Sequence, residues 1–176
     1  MIKIIFNVCE NSNIEIQMGM KQHFDSVNNQ IQGVSATSNV KGFTPLTAIA
    51  SYYRWDSRMI SKAAEDCNRR EEICIINTIE PCLFLVPKTK GDTANTDLIT
   101  DLLNACEAVK IKTLRFTHYC FVQNDLPDNE VTIILNKLFT DESTLETIIW
   151  DIDSRCLEEM KKLYSEVYPD QMIFLN

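Results

Sequence analysis

Ile73-Cys74-Ile75-Ile76-Asn77 and Cys82-Leu83-Phe84-Leu85-Val86 are two compact apolar runs of strand length, parted by a turn signal at Glu80-Pro81. From there strands and helices alternate. An amphipathic helix lies between Gly91 and Val109, with Leu98, Leu102, Ala105 and Cys106 on one face. Lys112–Tyr119 returns to strand chemistry, and Phe121–Pro127 reads as a loop. Pro127 opens another helix, with Asp128 and Glu130 near its positive end. Thr144–Ile152 is a strand, and Ser154–Tyr168 is a helix capped by Asp153 or Ser154. Met172–Leu175 follows as a short apolar tail. This order predicts an α/β fold: a largely parallel sheet covered by helices on both faces.

The first half fits the same plan. Ile2–Asn7 reads as a strand, and so does Asn13–Met18, which sets Ile14, Ile16 and Met18 on one face. Ile31–Ser38 is a weaker third strand, rich in small and β-branched residues. Thr44-Pro45 opens a helix to about Tyr53, with threonine as N-cap and proline where its missing N–H costs nothing. Ser57–Arg70 is a second helix that aligns Met59, Ala63 and Cys67. There is no repeat, low-complexity tract or linker, so residues 1–176 read as one domain.

Seventeen basic residues against twenty-five acidic ones give a net charge of −8. That balance argues against general nucleic-acid binding, which needs clustered Lys and Arg to replace phosphate counterions. No apolar run is long enough to span a bilayer, and the opening residues read as a strand rather than a signal peptide. The seven cysteines are odd in number and hold no C-x-x-C pair. A reducing, cytoplasmic setting is therefore expected, with thiols serving as small core hydrophobes.

From Asn95-Thr96-Asp97-Leu98 through Ala108-Val109-Lys110-Ile111-Lys112-Thr113-Leu114-Arg115-Phe116-Thr117, the sequence resembles the macro domain. This family of three-layer α/β/α modules commonly binds ADP-ribose, and the segment resembles its helix followed by the strand that carries the second ligand loop. Leu145–Asp153 and Leu157–Leu163 resemble its final strand and helix, and Val34–Asn39 stands in the place of its N-A-A-N strand end. The resemblance implies a mixed, mostly parallel sheet flanked by helices, with ADP-ribose or a related NAD-derived nucleotide as ligand. Departures are specific. Met18-Gly19-Met20 replaces the family's G-D-I turn, and Ala36 stands where the first asparagine belongs. The first phosphate loop keeps one glycine, in Val40-Lys41-Gly42-Phe43-Thr44, and the second, His118–Pro127, keeps none. Glycine matters there because backbone N–H groups approach a diphosphate only where no Cβ intrudes.

Parallel α/β sheets bind ligands beyond the carboxyl ends of strands, which independently singles out Asn39–Thr44 and Thr117–Asp125. The candidate ligand-binding residues are Asn39, Lys41, Gly42, Thr44, Thr117, His118, Tyr119, Phe121 and Asn124. Lys41 either pairs with an anion or is simply solvated; Thr44 either donates to a ligand or only caps its helix. His118 beside Tyr119 and Asn124 suits a purine or a sugar, or else packs as a satisfied imidazole. Cys120 and His118, two apart, are the one nucleophile pair to weigh, although nothing in the sequence lowers that thiol's pKa. The Tyr52-Tyr53-Arg54-Trp55 cluster is either a partner-binding patch or packs beneath the next helix. No cofactor and no metal are expected, since His23, His118 and the scattered thiols lack ligand spacing. Three functions follow in order: a nucleotide-binding module without efficient catalysis, a macro-like scaffold acting through protein contacts, and a residual ADP-ribosyl hydrolase. The last lacks a water-positioning group at Ala36.

Overall fold

The computed structural model describes residues 2–9, 30–42, 44–88, 96–117, 137–140, 142–153 and 172–175. Within them the chain runs β1 (Lys3–Cys9), β2 (Gly33–Thr37), α1 (Pro45–Tyr52), α2 (Ser57–Arg70), β3 (Cys74–Ile76) and β4 (Cys82–Val86). It continues through α3 (Thr96–Ala108), β5 (Thr113–Phe116), β6 (Thr147–Asp153) and β7 (Met172–Leu175). The strand expected over Asn13–Met18 and the helices expected from Pro127 and over Ser154–Tyr168 lie outside the described residues, apart from a helical turn at 137–140.

All seven strands join one sheet in the order β3-β4-β2-β5-β6-β1-β7. Every neighbouring pair is parallel except β3 and β4, which run antiparallel through the Glu80-Pro81 turn. The apolar tail proves to be a strand. Met172–Leu175 pairs with Ile4–Asn7 and covers what would otherwise be the open edge of β1.

Residue alternation along the strands sends side chains to two separate layers. On one face Ile99, Leu102, Leu103 and Cys106 of α3 pack with Ile4, Phe6, Phe84, Leu114, Phe116, Ile148 and Trp150. On the other, Leu46 and Ala50 of α1 and Ile60, Ala64 and Cys67 of α2 cover Ala36, Leu83 and Leu85. Ala48 and Ile49 complete that face over Ile5, Val34 and Ile149. The result is a mixed, mostly parallel sheet between helical layers. The buried stripes of α2 and α3 centre about one residue away from the sequence reading. Ile60 and Ala64 are buried where Met59 and Ala63 were expected, and Ile99 and Leu103 are buried beside the expected Leu102 and Cys106.

Chain direction places the loops. The connection after β2 enters α1 and α2 on one face, whereas the connection after β4 enters α3 on the other. The carboxyl end of β2 therefore borders a point where neighbouring connections part, and open α/β sheets bind ligands at such points.

Candidate functional site

β2 and β5 are adjacent and parallel, with Ser35 in register with Phe116. The two candidate loops consequently leave the same end of the sheet from neighbouring strands. Thr117, the first residue past β5, fastens that arrangement: its N–H donates to the Ser35 carbonyl at 3.0 Å, and its hydroxyl donates to the same oxygen. Thr117 is fully buried, so its hydroxyl is committed to β2. His118, Tyr119, Phe121 and Asn124 lie outside the described residues, as does Cys120.

The loop after β2 is held at both ends. Ser38 extends the ladder by donating its N–H to the Val86 carbonyl at 2.8 Å. Asn39 then turns the chain: its N–H donates to the Thr37 carbonyl at 2.8 Å, and its Oδ1 accepts from the Lys41 N–H at 3.2 Å, an Asx turn. Lys41 and Gly42 are exposed at the tip, and Gly42 takes φ +82°, a left-handed conformation that glycine adopts without strain. At the far end Thr44 caps α1. Its hydroxyl accepts from Thr47 N–H at 3.2 Å and donates to the Asn39 carbonyl, so the loop closes on itself. Thr44 is thus an N-cap whose hydroxyl is already occupied. Asn39 spends its Oδ1 and its carbonyl on the turn, while its Nδ2 group has no hydrogen-bond partner among the described residues.

Two polar side chains at this end of the sheet, and a buried cation away from it, escaped the sequence reading. Asn68 on α2 donates Nδ2–H to the Ser38 carbonyl at 2.7 Å and accepts the Lys88 N–H at Oδ1 at 2.9 Å. Asn7 is buried on β1. Arg115 is 1% exposed in the middle of β5, with its guanidinium carbon 5.7 Å from the Tyr52 ring centroid. A cation between Leu114 and Phe116 was the available signal for Arg115. Nothing local distinguishes Asn68 from the solvated polar residues around it, because its partners are 20 and 30 residues distant.

The aromatic cluster packs inward. Tyr53 and Trp55 stack with centroids 5.1 Å apart against the core, and the Trp55 indole N–H points to the Glu80 carbonyl at 3.4 Å. Among the described thiols, Cys67 and Cys106 are core groups as well. Burial, opposed by the Ser38 hydroxyl and reinforced by nearby Cys74, pushes the Cys67 thiol up to about 11; Cys67 itself donates to the Glu72 carbonyl at 3.0 Å. Burial and the neighbouring Cys82 push Cys106 up to about 12. Neither supplies thiolate at neutral pH. Among the described residues no group of three His, Cys, Asp or Glu side chains could hold a metal ion, and no helix is long and apolar enough to cross a membrane.

No protein-family model and no curated protein matches the sequence. Solved structures do match the fold. A macrodomain of Oceanobacillus iheyensis with MES bound superposes with a TM-score of 0.55 at 10% identity, covering 93% of this chain and 93% of its own. The same organism's macrodomain with ADP gives 0.53 at 10% identity, covering 78% of this chain and 87% of its own. The macrodomain of Thermus aquaticus DarG gives 0.51 at 12% identity, covering 84% of this chain and 99% of its own. The fold is therefore that of the macro domain, at only 10–12% sequence identity to these structures.

Proposed function

We propose that this chain is a nucleotide-binding module that takes ADP-ribose or a related NAD-derived molecule above the carboxyl ends of β2 and β5, without efficient catalysis. The observation that carries this reading is the side-by-side exit of the two candidate loops from parallel neighbours, fixed by the two Thr117 hydrogen bonds to Ser35. The exposed Lys41-Gly42 tip offers a cation and a backbone with no Cβ at the point where an anion would approach. A macrodomain of the same fold holds ADP, which supports the ligand class. Ala36 is completely buried in the layer beneath α1 and α2 and carries no polar group to orient a water, which argues against hydrolysis.

A thermal-shift series with ADP-ribose, AMP, NAD and cyclic dinucleotides tests the proposal. A ligand at about 100 times its Kd stabilises the fold by ~2.7 kcal/mol, which raises the melting temperature measurably. Asn39→Ala and His118→Ala should each diminish that shift. Silence with every nucleotide would sink the reading and favour a scaffold that works through protein contacts. The internal commitment of the Thr44 hydroxyl is the observation on the scaffold's side.

A further inference from the structure

Asn68 ties the ends of two sheet strands to a helix. It sits near the end of α2, half-buried, two residues before that helix ends at Arg70. Through Nδ2 it holds the carbonyl of Ser38, the first residue beyond β2. Through Oδ1 it holds the N–H of Lys88, two residues beyond β4. Both functions of one carboxamide are thereby used, at 2.7 Å and 2.9 Å. The β2–β4 ladder ends with the Ser38 N–H bond to Val86, and the Asn39–Thr44 loop begins one residue later. Ser38 is therefore the hinge point of that loop. Its amide is fixed by the sheet and its carbonyl by Asn68. The loop's other end is fixed by Thr44 through the Asn39 carbonyl.

We infer that Asn68 is a positioning residue for the nucleotide site: by anchoring the Ser38 carbonyl it sets the direction in which the Asn39–Gly42 backbone faces the ligand. The inference rests on the proposed nucleotide-binding function for its consequence, but not for its geometry. Without the Nδ2 donor, the peptide between Ser38 and Asn39 keeps only the bond from its N–H to the Thr37 carbonyl, and the Asx turn built on Asn39 is held less firmly. A preorganised loop binds more tightly because the ordering entropy has already been met in folding.

The test uses two variants of the full chain. Asn68→Asp keeps an acceptor for the Lys88 N–H but cannot donate to the Ser38 carbonyl at neutral pH. Asn68→Leu removes both bonds in a similar volume. Amide hydrogen exchange of Lys41, whose N–H reports the Asx turn, is compared with that of Leu85 in the centre of β4, alongside calorimetric titration with ADP-ribose. Loss of one well-formed hydrogen bond to a preorganised loop corresponds to about tenfold. Lys41 exchange should therefore rise by about that factor in both variants while Leu85 changes far less, and ADP-ribose affinity should fall by a similar factor. Equal acceleration at Lys41 and Leu85 would mean global destabilisation and would overturn the inference. So would loop exchange and affinity that both stay within about twofold of the parent chain, or a loosened loop with unchanged affinity. If the parent chain itself binds no ADP-ribose, the proposed function fails and with it the consequence for binding; the exchange comparison still decides whether Asn68 orders the loop.

Discussion

Thr44 and Thr47 satisfy each other across the first turn of α1: the Thr44 hydroxyl accepts from Thr47 N–H at 3.2 Å, and the Thr47 hydroxyl accepts from Thr44 N–H at 2.8 Å. This is a capping box in which threonine stands where glutamate or glutamine is usual. Pro45 at the first helical position has no N–H to satisfy, so the pair accounts for much of the helix start. Because the Thr44 hydroxyl also donates to the Asn39 carbonyl, the cap and the loop are one unit. Thr44→Ala should cost about 1–2 kcal/mol in urea unfolding, whereas Thr44→Ser should stay within about 0.5 kcal/mol of the parent chain. Equal losses for both would show that the methyl group, not the hydroxyl, carries the effect.

Two glycines separate packing from backbone conformation. A Cβ on Gly33 would stand 2.7 Å from Phe84 Cε2 and 2.8 Å from Ile111 Cδ1, inside the packed layer under α3. Among the described residues a Cβ on Gly42 would meet nothing within 4 Å, but the backbone there holds φ +82°. Gly33→Ala should destabilise by about 1–3 kcal/mol through overpacking. Gly42→Ala should cost about 1 kcal/mol through left-handed strain alone. Nucleotide binding should order them the other way, since only Gly42 lies at the exposed loop tip. Paired denaturation and titration of the two variants check this, and a larger affinity loss for Gly33→Ala would contradict the placement of the ligand.

What could be read from the sequence was local. The Thr44-Pro45 helix start was legible because its chemistry lies within four residues, and β4 was legible because five consecutive apolar residues bound by a turn signal need no long-range information. The α2 stripe was recognised but centred one residue early, since Met59-Ile60 and Ala63-Ala64 give adjacent apolar pairs and periodicity alone does not say which member faces the sheet. Met172–Leu175 gave no strand signal beyond four apolar residues; its identity comes from pairing with Ile4–Asn7 at the opposite end of the chain. Asn68 was invisible for the same reason, and Arg115 showed only as a cation between Leu114 and Phe116, with nothing local to say what it meets. Their roles are set by tertiary neighbours, and a polar residue on a helix or in a short strand reads as solvated until those neighbours are known.

Cys106 gives the alkaline limb of stability a definite sign. Burial, with a smaller contribution from Cys82, raises its thiol from the ordinary 9.0 to about 12. Below pH 9 the thiol is protonated in both the folded and the unfolded chain, so it contributes no pH dependence. Between pH 9 and 12 the unfolded chain releases a proton that the folded chain retains. The unfolded state then binds fewer protons, and stability must fall as the pH rises, by about 1 kcal/mol per unit from this group. Cys106→Ala should be less stable than the parent at pH 7, because a buried group is lost from beneath α3. Its stability should nevertheless decline less steeply from pH 9 to 11, since the titrating thiol is gone. Urea unfolding at pH 7, 9, 10 and 11 compares the two slopes. Parallel lines would mean that the thiol ionises equally well in both states and that water reaches it in the folded chain.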